Sequence, residues 1–264
     1  NLGVRYFYVP HTYEAKDLLY NFLPAKYDPS QAVLVLPDGT IQPGSGNLLN
    51  GMVGVKDGLP RNLVNNYPWT FGPRFGFAYD PTGSGRWAIR GGYGIGYYRP
   101  EGNDSYGMVG NPPGATNVTV FNPSLDNPAT GAAGALQPAS VSSLDMNYPI
   151  PTVQTYSIDV QRELTHGTLL TAGYVGTRGT HLNRAINRNQ PLPVDGYDFD
   201  PRLNTNSIPA ALISPYQGYA GINELQDTAS SSYNSLQVSF KREMSKGLLF
   251  EVAYTFSRTI TDAS

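Results

Sequence analysis

Cysteine is absent from the 264 residues, which excludes a disulfide framework and any thiolate metal site. Charge is sparse: Asp, Glu, Lys and Arg make up 14% of the chain and leave a formal net charge of −2. Such a balance carries no basic stripe of the kind a nucleic-acid partner requires. No apolar run approaches the roughly 20 residues needed for a membrane-spanning helix; Val33 to Leu36 is among the longest aliphatic stretches. Asn1 opens directly on a strand-like run, Leu2 to Val9, so no basic leader with an apolar segment is expected within these residues. If this chain meets a membrane, it does so through strands.

What the chain has instead is 29 Gly, 22 Pro and 19 Tyr, a composition that suits many turns and strands and few helices. Its strongest pattern is alternation with period 2. Phe71, Pro73, Phe75, Phe77 and Tyr79 fall on one face, and Thr70, Gly72, Arg74, Gly76 and Ala78 on the other. Asp80-Pro-Thr-Gly-Ser-Gly85 reads as a turn. Then Trp87, Ile89, Gly91, Tyr93, Ile95 and Tyr97 alternate with Ala88, Arg90, Gly92, Gly94 and Gly96. Trp87 to Tyr97 would run roughly 33 Å at about 3.3 Å per residue. Tilted by about 40°, it covers roughly 25 Å, the height of the apolar band of outer-membrane barrels, with aromatics at both ends. A soluble sandwich also alternates, so length and girdle position carry the distinction.

Two further hairpins follow. One pairs Tyr156, Ile158 and Val160 with Leu170, Ala172 and Tyr174; the other pairs Leu236, Val238 and Phe240 with Leu248, Phe250, Val252, Tyr254 and Phe256. A shift of 80 residues aligns 156–178 with 236–258 without a gap, matching Arg162 with Arg242, Glu163 with Glu243 and Gly167 with Gly247. The sequence thus predicts an all-β, antiparallel up-and-down meander, part of one β-barrel domain spanning 1–264. Hairpins are expected at about 70–98, 153–176 and 235–257, and long loops at about 10–68, 99–152 and 179–232. Short and long connections alternate strictly, as periplasmic turns and extracellular loops do.

The segments Trp69-Thr-Phe-Gly-Pro-Arg-Phe-Gly-Phe-Ala-Tyr-Asp-Pro81 and Arg90-Gly-Gly-Tyr-Gly-Ile-Gly-Tyr97 resemble the barrel of Oar-like TonB-dependent receptors, which carry a carboxypeptidase-regulatory-like N-terminal domain. Gln161-Arg-Glu-Leu164 with Ala172 to Leu182, and Ser232 to Val238 through Ala253 to Arg258, look like two further blocks of that family. The resemblance implies an outer-membrane location in a Gram-negative bacterium, a barrel of about 22 strands, a plug domain, a TonB-type energising partner and uptake of a substrate. It implies no enzyme and no cofactor. About seven strands are visible, so the chain is expected to be an internal part of such a barrel. Its open strand edges would pair with other strands.

The facing expectation follows from the alternation. Phe75, Phe77, Ile89, Tyr93, Ile95, Val238, Phe250 and Val252 are expected to face lipid, and Arg74, Arg90, Gln161, Gln237 and Glu251 the lumen. No catalytic constellation is expected. His11, His166 and His181 lack metal or triad spacing. Asp195, Asp198 and Asp200 offer oxygen ligands in one loop, but not at EF-hand spacing. The glycines at 91, 92, 94 and 96 do not fit a nucleotide loop. Asn103 and Asn117 open glycosylation sequons by pattern alone. A reading from another class is a secreted or surface β-protein that self-associates, filament-like, through its strand edges; it would bury the apolar face that a transporter exposes to lipid.

Overall fold

In the computed structural model, all residues are described except 101, 116–119, 122–123, 128–131, 134, 194–198, 201–204, 207, 246 and 264. The alternating runs become one open sheet. Its strands are β1 (Leu2–Phe7), β2 (Thr70–Tyr79), β3 (Trp87–Tyr97), β4 (Ala139–Leu144), β5 (Thr152–Thr165), β6 (Thr168–Asn187), β7 (Tyr219–Ser245) and β8 (Leu248–Thr261). The hydrogen-bonded order is β1-β2-β3-β5-β6-β7-β8, antiparallel throughout, and the sheet does not close. The only α-helices among the described residues are two of four residues each, Asn103–Tyr106 and Ala210–Ile213.

The three hairpin turns lie side by side at one end. Gly83, Gly167 and Gly247 take φ of 65°, 73° and 80°, a backbone region that glycine enters without steric cost. Backbone bonds tie these ends together: Glu163 N–H donates to Arg86 O (2.9 Å) and Glu243 N–H to Gly167 O (2.7 Å).

The other end departs from the expected plain loops. β6 and β7 have 20 and 27 residues, whereas about 9–11 suffice to cross a bilayer. At about 3.3 Å per residue, β7 is roughly 85 Å long. The expected loop 179–232 is therefore strand at both ends, and only 188–218 connects β6 to β7. The expected loop 99–152 contains β4, which runs parallel to β7, with Ala139 opposite Tyr219 and Leu144 opposite Leu225. This departs from a purely antiparallel meander, and the reason is geometric. β6 fills one edge of β7, and β8 stops at the Ser231–Thr261 pair. The upper edge of β7 is left vacant, and β4 takes it.

The long connections bury one another. Phe22 and Met52 pack with Val141, Tyr219 and Ile222; Leu63 and Val64 pack with Met108, Leu144 and Tyr148; Val33, Val35 and Ile41 pack with Ala211 and Leu212. Buried asparagines clip distant backbones in place of strand pairing. Asn21 accepts from Leu144 N–H and donates to Leu144 O, both at 2.9 Å. Asn111 donates to Tyr20 O and Ser142 O and accepts from Ser142 N–H. Asn189 joins the Tyr216 N–H to the Tyr219 carbonyl. Every fully buried hydrophobic side chain among the described residues belongs to this cap or to the strand stretches beneath it; none lies within 70–98, 153–176 or 235–257.

The cap should therefore be a separate unit of stability. Phe22 stands edge-on to Tyr216 and Tyr219, with ring centroids 5.2 and 5.1 Å away. Phe22→Ala is expected to cost the cap about 3–5 kcal/mol. Hydrogen exchange should show lost protection at 20–22, 52–54 and 219–222 with protection of the hairpin stretches 153–176 and 235–257 unchanged.

Candidate functional site

Directly opposed residues in an antiparallel ladder point to the same face, so the registers sort every hairpin side chain. One row runs Ile89, Val160, Ala172, Val238, Tyr254; the next runs Gly91, Ile158, Tyr174, Leu236, Phe256. Phe75 opposes Tyr93, Tyr79 opposes Ile89, Phe250 opposes Arg242 and Val252 opposes Phe240. All eight residues expected to face lipid thus share one apolar face. Leu2, Val4 and Tyr6 of β1, opposite Phe75, Pro73 and Phe71, extend it. Among the described residues nothing covers it: Phe75 is 48% exposed, Val252 59% and Phe256 67%.

Both borders of this face are amphipathic. Toward the short turns, the Arg162 guanidinium sits 4.6 Å over the Trp87 ring, and Arg242 occupies the end of the same face on β7. Long cationic side chains place an apolar stem against hydrocarbon while the charge reaches the interface. Toward the cap lies a row of tyrosines. Tyr93 donates to Gln154 Oε1 (3.3 Å), and Tyr156 and Tyr174 both donate to Asn234 Oδ1 (3.2 and 2.5 Å). Ile95 belongs to this border, because it opposes Gln154, which in turn opposes Arg178.

The opposite face is polar and small. Arg90 opposes Asp159, which opposes Gly173, then Gln237 and Thr255; Ala88 opposes Gln161, then Thr171 and Ser239; Lys241 opposes Glu251; Arg74 opposes Gly94. The five residues expected to line a lumen therefore share this face. An open cleft of about 570 Å³ lies along it, floored by Gly92, Gly94 and Gly96 and flanked by Arg74, Thr155 and Ser157.

The glycines divide by face. On the apolar side, a Cβ at Gly91 would strike the Phe77 ring, and one at Gly176 the Tyr156 ring. These glycines exist to be covered by a cross-strand aromatic. On the polar side a Cβ at Gly92 meets only Phe75 O at 3.5 Å, and one at Gly96 only Val153 O at 4.0 Å. Here glycine leaves a bare backbone floor that no neighbour demands.

The remaining candidates separate. Asp195 and Asp198 lie outside the described residues; Asp200 falls in a two-residue strand, Phe199–Asp200, opposite Thr205. No group of three or more His, Asp or Glu among the described residues is arranged to hold a metal. His166 is exposed in its turn, 3.8 Å from Glu163. His181 takes a left-handed φ of 57° where the β6–β7 register shifts. His11 is buried against Tyr148, with ring centroids 5.6 Å apart. Asn103 opens the first short helix, and Asn117 lies outside the described residues. Two features had no sequence signal: Asn234 as the anchor of two tyrosines, and a cluster beneath the cap of the buried Tyr148 and Asp227 with the half-buried Asp104.

A family model described as outer membrane beta barrel domain matches residues 1–264. Among solved structures, the chain is similar to the outer membrane transporter YddB from Escherichia coli, at 11% identity and a TM-score of 0.45 over 73% of this chain and 20% of that one. It is also similar to the siderophore receptor PirA from Pseudomonas aeruginosa, at 10% identity and a TM-score of 0.38 over 74% and 29%. The chain thus spans less than a third of the length of either. No curated protein matches.

The two classes of glycine make a test. Gly176→Ala must displace the Tyr156 ring and is expected to destabilise by about 1–3 kcal/mol, whereas Gly92→Ala should stay within about 0.5 kcal/mol of the parent. Denaturant midpoints of the protein refolded in micelles would separate them.

Proposed function

The chain belongs to the outer membrane beta-barrel domain family, and on that premise we propose that it forms part of the wall of a TonB-dependent receptor that takes up a substrate across the outer membrane. One observation carries this reading: the hairpins hold no buried hydrophobic core, yet present a continuous, uncovered apolar face with amphipathic borders. In water such a surface is costly at about 25 cal/mol per Å². Contiguous apolar patches of that extent mark interaction or membrane surfaces. Lipid as the solvent for that face removes the cost.

On this reading Phe75, Phe77, Ile89, Tyr93, Val238, Phe250 and Val252 contact acyl chains and Ile95 lies at the outer rim. Arg74, Arg90, Gln161, Gln237 and Glu251 line the lumen. The cap is then the outward-facing mouth, and the short turns face the periplasm. A plug domain would lie against the glycine floor, and energy would come through a TonB-type partner; the resemblance of the sequence blocks supports both. The chain's part is that of a conduit rather than a catalyst. A self-associating filament subunit would instead bury the apolar face against other copies. Fractionation of the full-length gene product decides between them. Recovery in the outer membrane with a need for detergent supports the receptor; a detergent-free soluble polymer overturns it.

Neighbouring residues on opposite faces give the sharper test. Val238 sits mid-band between Arg242 and Asn234, so Val238→Arg in the full-length protein is expected to cost about 2–4 kcal/mol of folding into bilayers. Gln237→Arg, one residue away on the polar face, should be tolerated. Ile95→Arg, at the rim, should cost about 0–1 kcal/mol. Equal effects of the first two would argue against lipid on the apolar face.

A further inference from the structure

We propose that Asp104, Tyr148 and Asp227 form a proton-operated latch that fastens the cap to the upper stretches of β6 and β7. The cluster joins four parts of the chain. Asp104 comes from the short helix Asn103–Tyr106, Tyr148 from the segment after β4, Asn183 from β6 and Asp227 from β7. Tyr148 is 1% exposed; its hydroxyl donates to Asp104 Oδ2 (2.9 Å) and accepts from Asn183 Nδ2. Asn183 and Asp227 are opposed across the ladder, at the place where its register shifts.

Asp227 is the unmatched member. It is 2% exposed, and neither carboxylate oxygen has a hydrogen-bond partner. Asn183 and Tyr148 lie close enough to favour its charge slightly. The Tyr148 proton is already given to Asp104, however, and one of the two Asn183 N–H groups to Tyr148, while the other makes no hydrogen bond to Asp227. The charged and titratable groups around the cluster offer no rescue. Asp104 is itself acidic. Tyr148 keeps its proton, because burial and the two carboxylates push its phenol up. His11, packed on the Tyr148 ring, has its basicity lowered by burial and faces the cluster neutral. Arg188 is held 2.8 Å from Glu224. Among the described residues no basic side chain pairs with Asp227.

A buried carboxylate without a partner takes up a proton instead of remaining charged. Burial first, then the charge of Asp104, raises Asp227 from 3.8 to about 7. A cavity of about 10 Å³ beside His11, Asp104 and Tyr148 is at the lower limit for one water molecule. It has no room for a cation with the six to eight oxygen ligands that calcium prefers. The proton comes from solvent. Bound, it makes Asp227 a hydrogen-bond donor and leaves one negative charge in the cluster, on Asp104. Lost, it leaves a buried negative charge on Asp227 beside the half-buried one on Asp104, at the junction of cap and sheet.

The sign follows from linkage. The folded state holds this proton more tightly than the unfolded state, so Asp227 contributes its full stability below about pH 4. That contribution is lost as pH rises toward about 7 and is flat beyond. Within the window the cap-opening equilibrium gains up to about tenfold per pH unit from this group. His11 acts in the opposite direction, since its lowered basicity costs stability as pH falls, but it is common to parent and variant.

The test is hydrogen exchange of the full-length protein in micelles, comparing parent with Asp227→Asn at segments 103–106 and 219–227. The ratio of parent to variant opening constants should rise at least tenfold from about pH 5.5 to about pH 7.5 and then level. A ratio independent of pH overturns the latch. Should Asp227→Asn fail to fold, infrared spectroscopy of the parent with isotope-labelled aspartate gives an independent answer. A protonated carboxyl band at about pH 6 that vanishes by about pH 8.5 supports the proposal, and its absence at pH 6 overturns it.

Discussion

Backbone hydrogen bonding in a medium that cannot supply it is the constraint from which the rest of this architecture follows. In hydrocarbon an unpaired N–H or C=O costs several kcal/mol, so the only strand structure that crosses a bilayer is a ladder with its partners in place. The ladder then dictates the side chains. Once Gly91 opposes Ile158 and Ile158 opposes Tyr174, a slip of one residue would carry Arg90 and Asp159 into the apolar face. Register here is defended by chemistry on both faces: aromatics lean on Gly91 and Gly176 on one side, and Arg90 stands opposite Asp159 on the other. No hydrophobic core is needed in this part of the molecule, and none is present.

The cap solves the opposite problem. Beyond the tyrosine row the chain is in water, where an apolar face is a liability and a buried core the usual remedy. The connection from β3 to β5 does not take the short path between adjacent strands. It crosses to the vacant edge of β7, lays β4 there, and returns through Tyr148. That detour joins the extensions of β6 and β7 to the long segment between β1 and β2. Val141 packs with Phe22 and Met52, and Leu144 with Leu63 and Val64. Length beyond the bilayer thereby becomes a scaffold for an ordered outer end.

How much of this was legible in the sequence follows the same division. Phe71 to Tyr79, Trp87 to Tyr97 and Leu236 to Phe256 alternate because they have two different solvents, and that difference writes itself into the residues. Asn183 to Asn187 and Gly221 to Ser232 continue as strand but face no hydrocarbon, so they lack the period and read as loop. β4, Ala-Ser-Val-Ser-Ser-Leu, is too short and too polar to stand out. The cap was unreadable for a different reason. Asn21 pairs with the backbone 123 residues away, and Asn111 with Tyr20 across 91. Such contacts leave no local trace, and neither does the burial of Asp227, which depends on Tyr148 and Asp104 arriving from elsewhere.

The same constraint governs the sheet's two edges. β1 and β8 each have one unpaired side, and every residue of β8 is exposed. Within a bilayer that state is untenable, because the free edge of β8 carries unsatisfied N–H and C=O groups along the height of the apolar band. A strand must pair with it, and its composition is already restricted. Opposite Phe250, Val252, Tyr254 and Phe256 it must present apolar residues, and opposite Glu251, Ala253 and Thr255 small or polar ones, or the faces would cross at the seam. Arg258, on the same face as Phe256 and opposite Asn234, fixes the height at which the apolar run has to stop. Alternation thus specifies the strands present and also sets the phase and the upper limit of the strand that must join them.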